Sequence, residues 1–319
     1  MKDDIYNFSQ QFLFPAEIEN KEKWGSYNNY LLTGMGGSHL QGEILLSIFN
    51  DIPLSVYSDY GLPNIKKDTG VIVASYSGNT EEAIDNLNTA LSLNIDVSVI
   101  SKGGKLIEIA KEKSLPYIKL PDGDVQPRMG TGYAVKAVLE MMKKEKEKKE
   151  IEEVVECLEE RKDLLLAQGK EITSLINGKV PIIYSSNRNL IASKVWKINF
   201  NEGPKIPSFY NTIPELNHNE MTGFDTNSFT KELSEKMVFF LLTDDEDDIR
   251  NQKRMKVLKI ILEKNEFSVF EVKMEGIKRA EKIFSSIILS AWTAYFIAEI
   301  YNNDPNSVPM VEEFKKIIA

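Results

Sequence analysis

The amino-acid sequence predicts an α/β protein built in two halves, each a parallel sheet flanked by helices. Three observations carry that expectation. Short apolar runs alternate with amphipathic stretches, most runs lead through a Gly-, Ser- or Asp-containing turn into a helical pattern, and the alternation resumes after a Lys/Glu-rich interruption. A length of 319 residues, at ~150 per domain, agrees with two domains, and 42% hydrophobic content suffices for a core in each.

In the first half, residues 30–33, 54–57, 70–74, 97–100 and 117–120 read as strands, and helices are expected at about 40–49, 81–93, 105–112 and 131–144. The second run is followed by the turn Gly61-Leu62-Pro63 instead of a helix. From 142 to 153 the chain is almost pure Lys and Glu, a solvated helix face or a connection, and it sets the expected boundary between domains 1–152 and 153–319. Strands then follow at 180–184, 237–242 and 267–272, and helices at 189–200, 246–263 and 278–301. The similar length and order of the halves suggest an internal duplication, without a residue-level repeat. Residues 283–298 are uncharged, but the stretch is short for a membrane span and carries Ser285, Ser286, Ser290 and Thr293, so a buried core helix is expected.

Composition narrows the function. Thirty-nine basic and 48 acidic residues give a net charge of -9, the wrong sign for living on phosphate backbones or anionic lipid, so neither nucleic acid nor membrane is an expected partner. Cys157 is the only cysteine and His39 and His218 are the only histidines, which excludes an intrachain disulfide and a His- or Cys-rich metal site. The opening Met1-Lys2-Asp3-Asp4 builds no apolar leader, and a cytoplasmic location is expected. The acidic run Asp244 to Asp248 lacks the spacing of a calcium loop and reads as a structural helix start.

Two motifs carry chemistry. Thr33-Gly34-Met35-Gly36-Gly37-Ser38 lies between a strand and a helix, where glycines let backbone N–H groups approach an anion and the helix N-terminus adds partial positive charge. It is no dinucleotide fingerprint, because the third glycine would fall at His39, and no Gly-Lys-Ser/Thr follows, so no nucleotide cofactor is expected. Ser75-Tyr76-Ser77-Gly78-Asn79-Thr80-Glu81 sits in the same strand-to-helix context. An ordinary helix cap uses one hydroxyl; Ser75, Ser77 and Thr80 together can donate several hydrogen bonds to one phosphate.

With Gln126-Pro127-Arg128, Asn217-His218-Asn219-Glu220 and the closing Val308-Pro309-Met310-Val311-Glu312-Glu313-Phe314-Lys315, these motifs run in the order seen in bifunctional phosphoglucose/phosphomannose isomerases, a branch of the sugar isomerase (SIS) domain superfamily. The chain resembles that family from about residue 30 onward. The resemblance implies two SIS-type domains with the active site between them. It implies reversible isomerisation of glucose 6-phosphate, with mannose 6-phosphate a second substrate, to fructose 6-phosphate, and no cofactor. The rivals are an isomerase of another sugar phosphate and a non-catalytic sugar-phosphate sensor.

Moving a proton between C1 and C2 through an enediol needs a carboxylate base, a group that offsets oxyanion charge and a group that opens the sugar ring. By resemblance, Glu202, expected just past the end of the 189–200 helix, is the base, sixteen residues before His218. His218, on a polar loop, passes a proton to or from the ring oxygen and comes from the neighbouring subunit of a homodimer. Arg128 holds the enediolate or a sugar oxygen. Lys315, with Lys316 beside it, contacts substrate hydroxyls. Gly36, Gly37, Ser38, Ser75, Ser77 and Thr80 bind the phosphate, and His39 is a helix-start residue near the site.

Overall fold

The computed structural model describes residues 1–123 and 125–318. The chain forms two compact units, Tyr6–Glu159 and Glu160–Ala319, the second taking in Met1–Ile5 from the opening helix α1 (Lys2–Tyr6).

The N-terminal unit runs β1 (Asn29–Thr33), α2 (Gly37–Ile48), β2 (Leu54–Tyr57), β3 (Thr69–Ala74), α3 (Glu81–Ser92), β4 (Val97–Ser101), α4 (Gly104–Glu112), β5 (Tyr117–Lys119), α5 (Thr131–Met141) and α6 (Glu145–Glu152). Its sheet is parallel, in the order β2-β1-β3-β4-β5. Strands covered on both faces must be apolar throughout, as Val71, Ile72, Val73 and Ala74 of β3 are, all fully buried. Helix α3 buries Ala83, Asn86, Leu87 and Ala90, spaced three, one and three apart along one face, and packs them with Val71, Val73 and Val99. Gly42 lets α2 lie against the sheet, since a Cβ there would come within 2.6 Å of Leu32 and Val56 side chains.

Helix α7 (Val154–Ile176) leads into the C-terminal unit, which continues β6 (Val180–Ser186), α8 (Leu190–Glu202), β7 (Phe209–Ile213), α9 (Lys231–Ser234), β8 (Met237–Thr243), α10 (Ile249–Lys264), β9 (Ser268–Lys273), α11 (Arg279–Ile300) and α12 (Pro309–Ile318). Its parallel sheet has the order β7-β6-β8-β9, the same winding as β2-β1-β3-β4. The expected core helix is α11. It is long and apolar enough to cross a membrane, but 78% of its most apolar window is buried. Ile283, Phe284, Ile287 and Trp292 are inaccessible, its Ser286 and Ser290 hydroxyls accept from Trp196 and Asn199 of α8, and Gly169 of α7 lies where a Cβ would press on Trp292.

The differences from expectation are local. Helix α2 starts at Gly37, so Gly37 and Ser38 are helical residues. The expected helix 131–144 ends at Met141, and Lys143, in the left-handed region at φ 55°, breaks it from α6. Helix α8 runs on to Glu202, which is its last residue and does not lie past its end. Helix α7 and strand β7 went unread in the sequence. In the acidic run only Asp248 caps α10, accepting from the Arg250 N–H at 2.9 Å. Asp244 is buried instead, bound by Arg188 at 2.5 Å, Lys282 at 2.7 Å and Arg279 at 3.2 Å.

Candidate active site

The N-terminal unit brings three separated motifs together at the carboxyl ends of β1 and β3. These are the strands between which the sheet's winding reverses, the place where parallel sheets open a crevice for ligands. The Ser38 hydroxyl accepts the Tyr76 N–H at 2.8 Å, tying the glycine loop to the serine loop. A Cβ on Gly37 would sit 2.9 to 3.1 Å from Pro127 and Arg128 backbone atoms, so the glycine loop also lies flush against the Gln126-Pro127-Arg128 turn. That turn packs on Tyr76 through Gly130, where a Cβ would approach the ring to 2.6 Å. Gly36, at φ 55° and ψ -125°, adopts a conformation that side chains disfavour.

Within the serine loop the hydroxyls are linked to one another. Ser75 is buried, its Oγ lies 2.8 Å from Thr80 Oγ1 and 3.5 Å from Ser77 Oγ, and it accepts the Gly78 N–H at 3.1 Å. Ser77 is exposed and Thr80 half-buried. Thr80 occupies the N-cap of α3 yet makes no capping hydrogen bond, so the loop is not an ordinary helix cap and the first N–H groups of α3 keep their capacity for an anion. Gly78, at φ 72°, presses on a second loop, where any Cβ would overlap the Gly103 carbonyl oxygen. Arg128, 4% exposed, is buried in the 3₁₀ turn Pro127–Met129.

Sequence reasoning missed two supports of this cradle. Gln11, from the 3₁₀ segment Phe8–Leu13, donates to Met129 O at 2.8 Å and accepts the Gly132 N–H at 3.1 Å, clamping the Arg128 turn from both sides. Asn86 of α3 donates to Thr33 Oγ1 and, at 3.1 Å, to Asp59 O, holding the end of β1. Neither carries a local signal, since each partner lies 27 to 121 residues away. His39, on α2, faces Glu43 at 3.7 Å.

The C-terminal unit carries Glu202, His218 and Lys315 on three elements. Glu202 is half-buried at the end of α8, where Lys205 Nζ donates to Glu202 O at 2.6 Å, Gly203 O at 2.9 Å and Asp304 O at 2.7 Å. Asn303 also donates to Pro204 O at 2.7 Å, so the root of α12 is bonded to the loop that follows Glu202. His218 ends the 3₁₀ turn Glu215–His218 and is exposed, as is Lys315 on α12. Because α8 runs back against the strands, Glu202 lies at the amino edge of the sheet, before β7, whereas His218 follows its carboxyl edge. The five residues of β7 put about 16 Å of strand between them. Among the described residues no group of three His, Cys, Asp or Glu could hold a metal ion.

Comparison with known proteins bears on the family and the fold. The family described as bacterial phospho-glucose isomerase C-terminal SIS domain matches residues 166–318. A bifunctional phosphoglucose/phosphomannose isomerase of Aquifex aeolicus is 32% identical over 98% of this chain and 98% of its own length. The chain belongs to the bifunctional phosphoglucose/phosphomannose isomerase family of SIS-domain proteins. Members of the wider superfamily are also near. A D-glucosamine-6-phosphate 4-epimerase of Sulfolobus acidocaldarius is 33% identical over 59% of the chain and 61% of its own length. The solved glucosamine-6-phosphate deaminase of Thermotoga maritima shares the fold at TM-score 0.69 and 14% identity, covering 97% of this chain and 95% of that one.

Proposed function

We propose that the protein interconverts glucose 6-phosphate and fructose 6-phosphate, and mannose 6-phosphate and fructose 6-phosphate, through an enediol. Full-length similarity to the family supports an isomerase of sugar phosphates. The observation that carries the reading is the cradle: Ser38, Ser75, Ser77 and Thr80 meet glycine-lined backbone and the start of α3 without a cap in the way. A phosphate there accepts from hydroxyls and N–H groups. Arg128 offsets charge on the enediolate, and Glu202 moves the proton between C1 and C2, a role worth ~10²–10⁴ in rate. His218 serves the ring oxygen and Lys315 the sugar hydroxyls. The separation of Glu202 from His218 along β7 supports a site in a homodimer that takes His218 from the neighbouring chain.

The test is a coupled assay of purified protein on glucose 6-phosphate and mannose 6-phosphate, with glucosamine 6-phosphate as a third arm because of the epimerase relative. Turnover of both hexose phosphates is expected, and turnover of the amino sugar alone would replace this reading with the other.

A further inference from the structure

His218 sits on a segment whose only regular pieces are the 3₁₀ turns Glu215–His218 and Glu220–Phe224. Glu220, two residues on, ties that segment to the sheet. Tyr184 of β6, fully buried and packed on the Phe239 ring at 5.6 Å, donates its hydroxyl to Glu220 Oε1 at 2.5 Å. The Asn211 side-chain amide of β7 donates to Glu220 Oε2. One carboxylate thus spans two neighbouring strands. On the loop side, Asn219 Oδ1 accepts the Glu220 N–H at 2.6 Å and its amide donates to Glu215 Oε1 at 2.8 Å, so the residues flanking His218 are bonded to each other as well. Leu216 before the histidine and Met221 and Phe224 after it pack into the core cluster of Tyr184, Ile213 and Phe239.

We propose that Glu220, gripped by Tyr184 and Asn211, is a positioning residue that fixes the orientation in which the His218 ring is presented for proton transfer to the sugar ring oxygen. The assignment rests on the proposed role of His218. A hydrophobic anchor alone places a loop but leaves its twist free. A carboxylate held at both oxygens by donors on two strands fixes direction, and a charge-assisted pair is the stronger form of such a bond. General acid–base transfer is steeply sensitive to placement, so loosening the grip is expected to lower turnover more than binding.

The experiment combines kinetics on glucose 6-phosphate with hydrogen exchange. Tyr184→Phe removes one donor while keeping the ring against Phe239; Asn211→Ala is the second variant and removes the other. Each is made alone and with His218→Ala. Each single variant is expected to lower kcat between about 10- and 100-fold, leave inorganic phosphate affinity within about twofold, and speed amide exchange across residues 215–224. In the His218→Ala background neither is expected to reduce kcat further, since a residue acting through His218 has nothing left to position. Equal losses in both backgrounds, or faster exchange with unchanged kcat, would overturn the proposal. If His218→Ala itself keeps full turnover, the reading of His218 fails, and the exchange data still decide whether Tyr184 and Asn211 hold the segment.

Discussion

In the proposed reaction Glu202 and the hydroxyls of the serine loop act on opposite ends of a hexose phosphate, so they are expected to carry different kinetic signatures. Glu202→Gln keeps shape and the Lys205 bonds to the backbone while removing the base. It is expected to lower kcat by ~10²–10⁴ and leave phosphate binding intact. Ser77→Ala and Thr80→Ala each remove a donor used in ground and transition state alike, so KM is expected to rise by about 0.5–1.5 kcal/mol of lost binding with kcat nearly unchanged. Steady-state kinetics together with phosphate titration checks both. A Glu202→Gln enzyme with normal turnover would remove the base assignment, and Ser77→Ala lowering kcat alone would remove the cradle. Ser77 and Thr80 were legible because they sit in a compact motif between a strand and a helix, whereas Glu202, the last residue of α8, was named only by the family resemblance. Gln11 was not, since nothing near position 11 announces a partner 118 residues on.

At the scale of elements, the electrostatics of the two strand switches differ. The N-terminal switch, between β1 and β3, is lined by glycine and hydroxyls. The matching place in the C-terminal unit, between β6 and β8, holds Asp244 among Arg188, Arg279 and Lys282. Burial opposes ionisation of Asp244, but hydrogen bonds from Lys282 and the Glu246 N–H, with the charges of Lys282 and Arg188, outweigh it and hold the carboxyl below the ordinary range. Burial, then the neighbouring Arg188, pulls Arg279 down to about 10. Asp244→Asn takes the buried carboxylate away from three cations, leaving Arg188 and Lys282 only their pairs with the more exposed Glu246, and is expected to cost about 3–5 kcal/mol at neutral pH, on the order of 10 °C in Tm. Because the folded pKa is depressed, the contribution of Asp244 is complete above the ordinary carboxylate value and fades as pH falls through the folded one. The Tm difference between wild type and variant is therefore expected to shrink on acidification; a difference independent of pH would show that the charge is immaterial. This network escaped sequence reasoning, which read the five clustered acids as a structural helix start, because Arg188, Arg279 and Lys282 lie 56, 35 and 38 residues from Asp244. Helix α7 escaped because it continues a Lys/Glu stretch without a turn. Strand β7 escaped because it is an edge strand, exposed at Phe209 and Tyr210, and lies between Pro207 and Pro214. The central strands β1, β3, β4, β6 and β8 were legible for the opposite reason, since burial on both faces writes a strand as a near-continuous apolar run.

For the whole molecule, the decisive experiment mixes two inactive variants, Glu202→Gln and His218→Ala, under conditions that exchange subunits. If each site takes one residue from each chain, about half the dimers are mixed, each has one intact site, and about a quarter of wild-type activity returns. No recovery, with exchange verified by mass-tagged chains, would place both residues in one chain's site.

The position of Glu202 and His218 on opposite edges of one sheet also has a meaning in dilute solution. A chain that carries both halves of an acid–base pair but cannot close them on one substrate is, in the proposed reaction, inert alone. Rate then counts pairs of chains instead of chains. Below the dissociation constant of the dimer it falls with the square of protein concentration, so the supply of the protein sets the fraction of sites that work as well as their total.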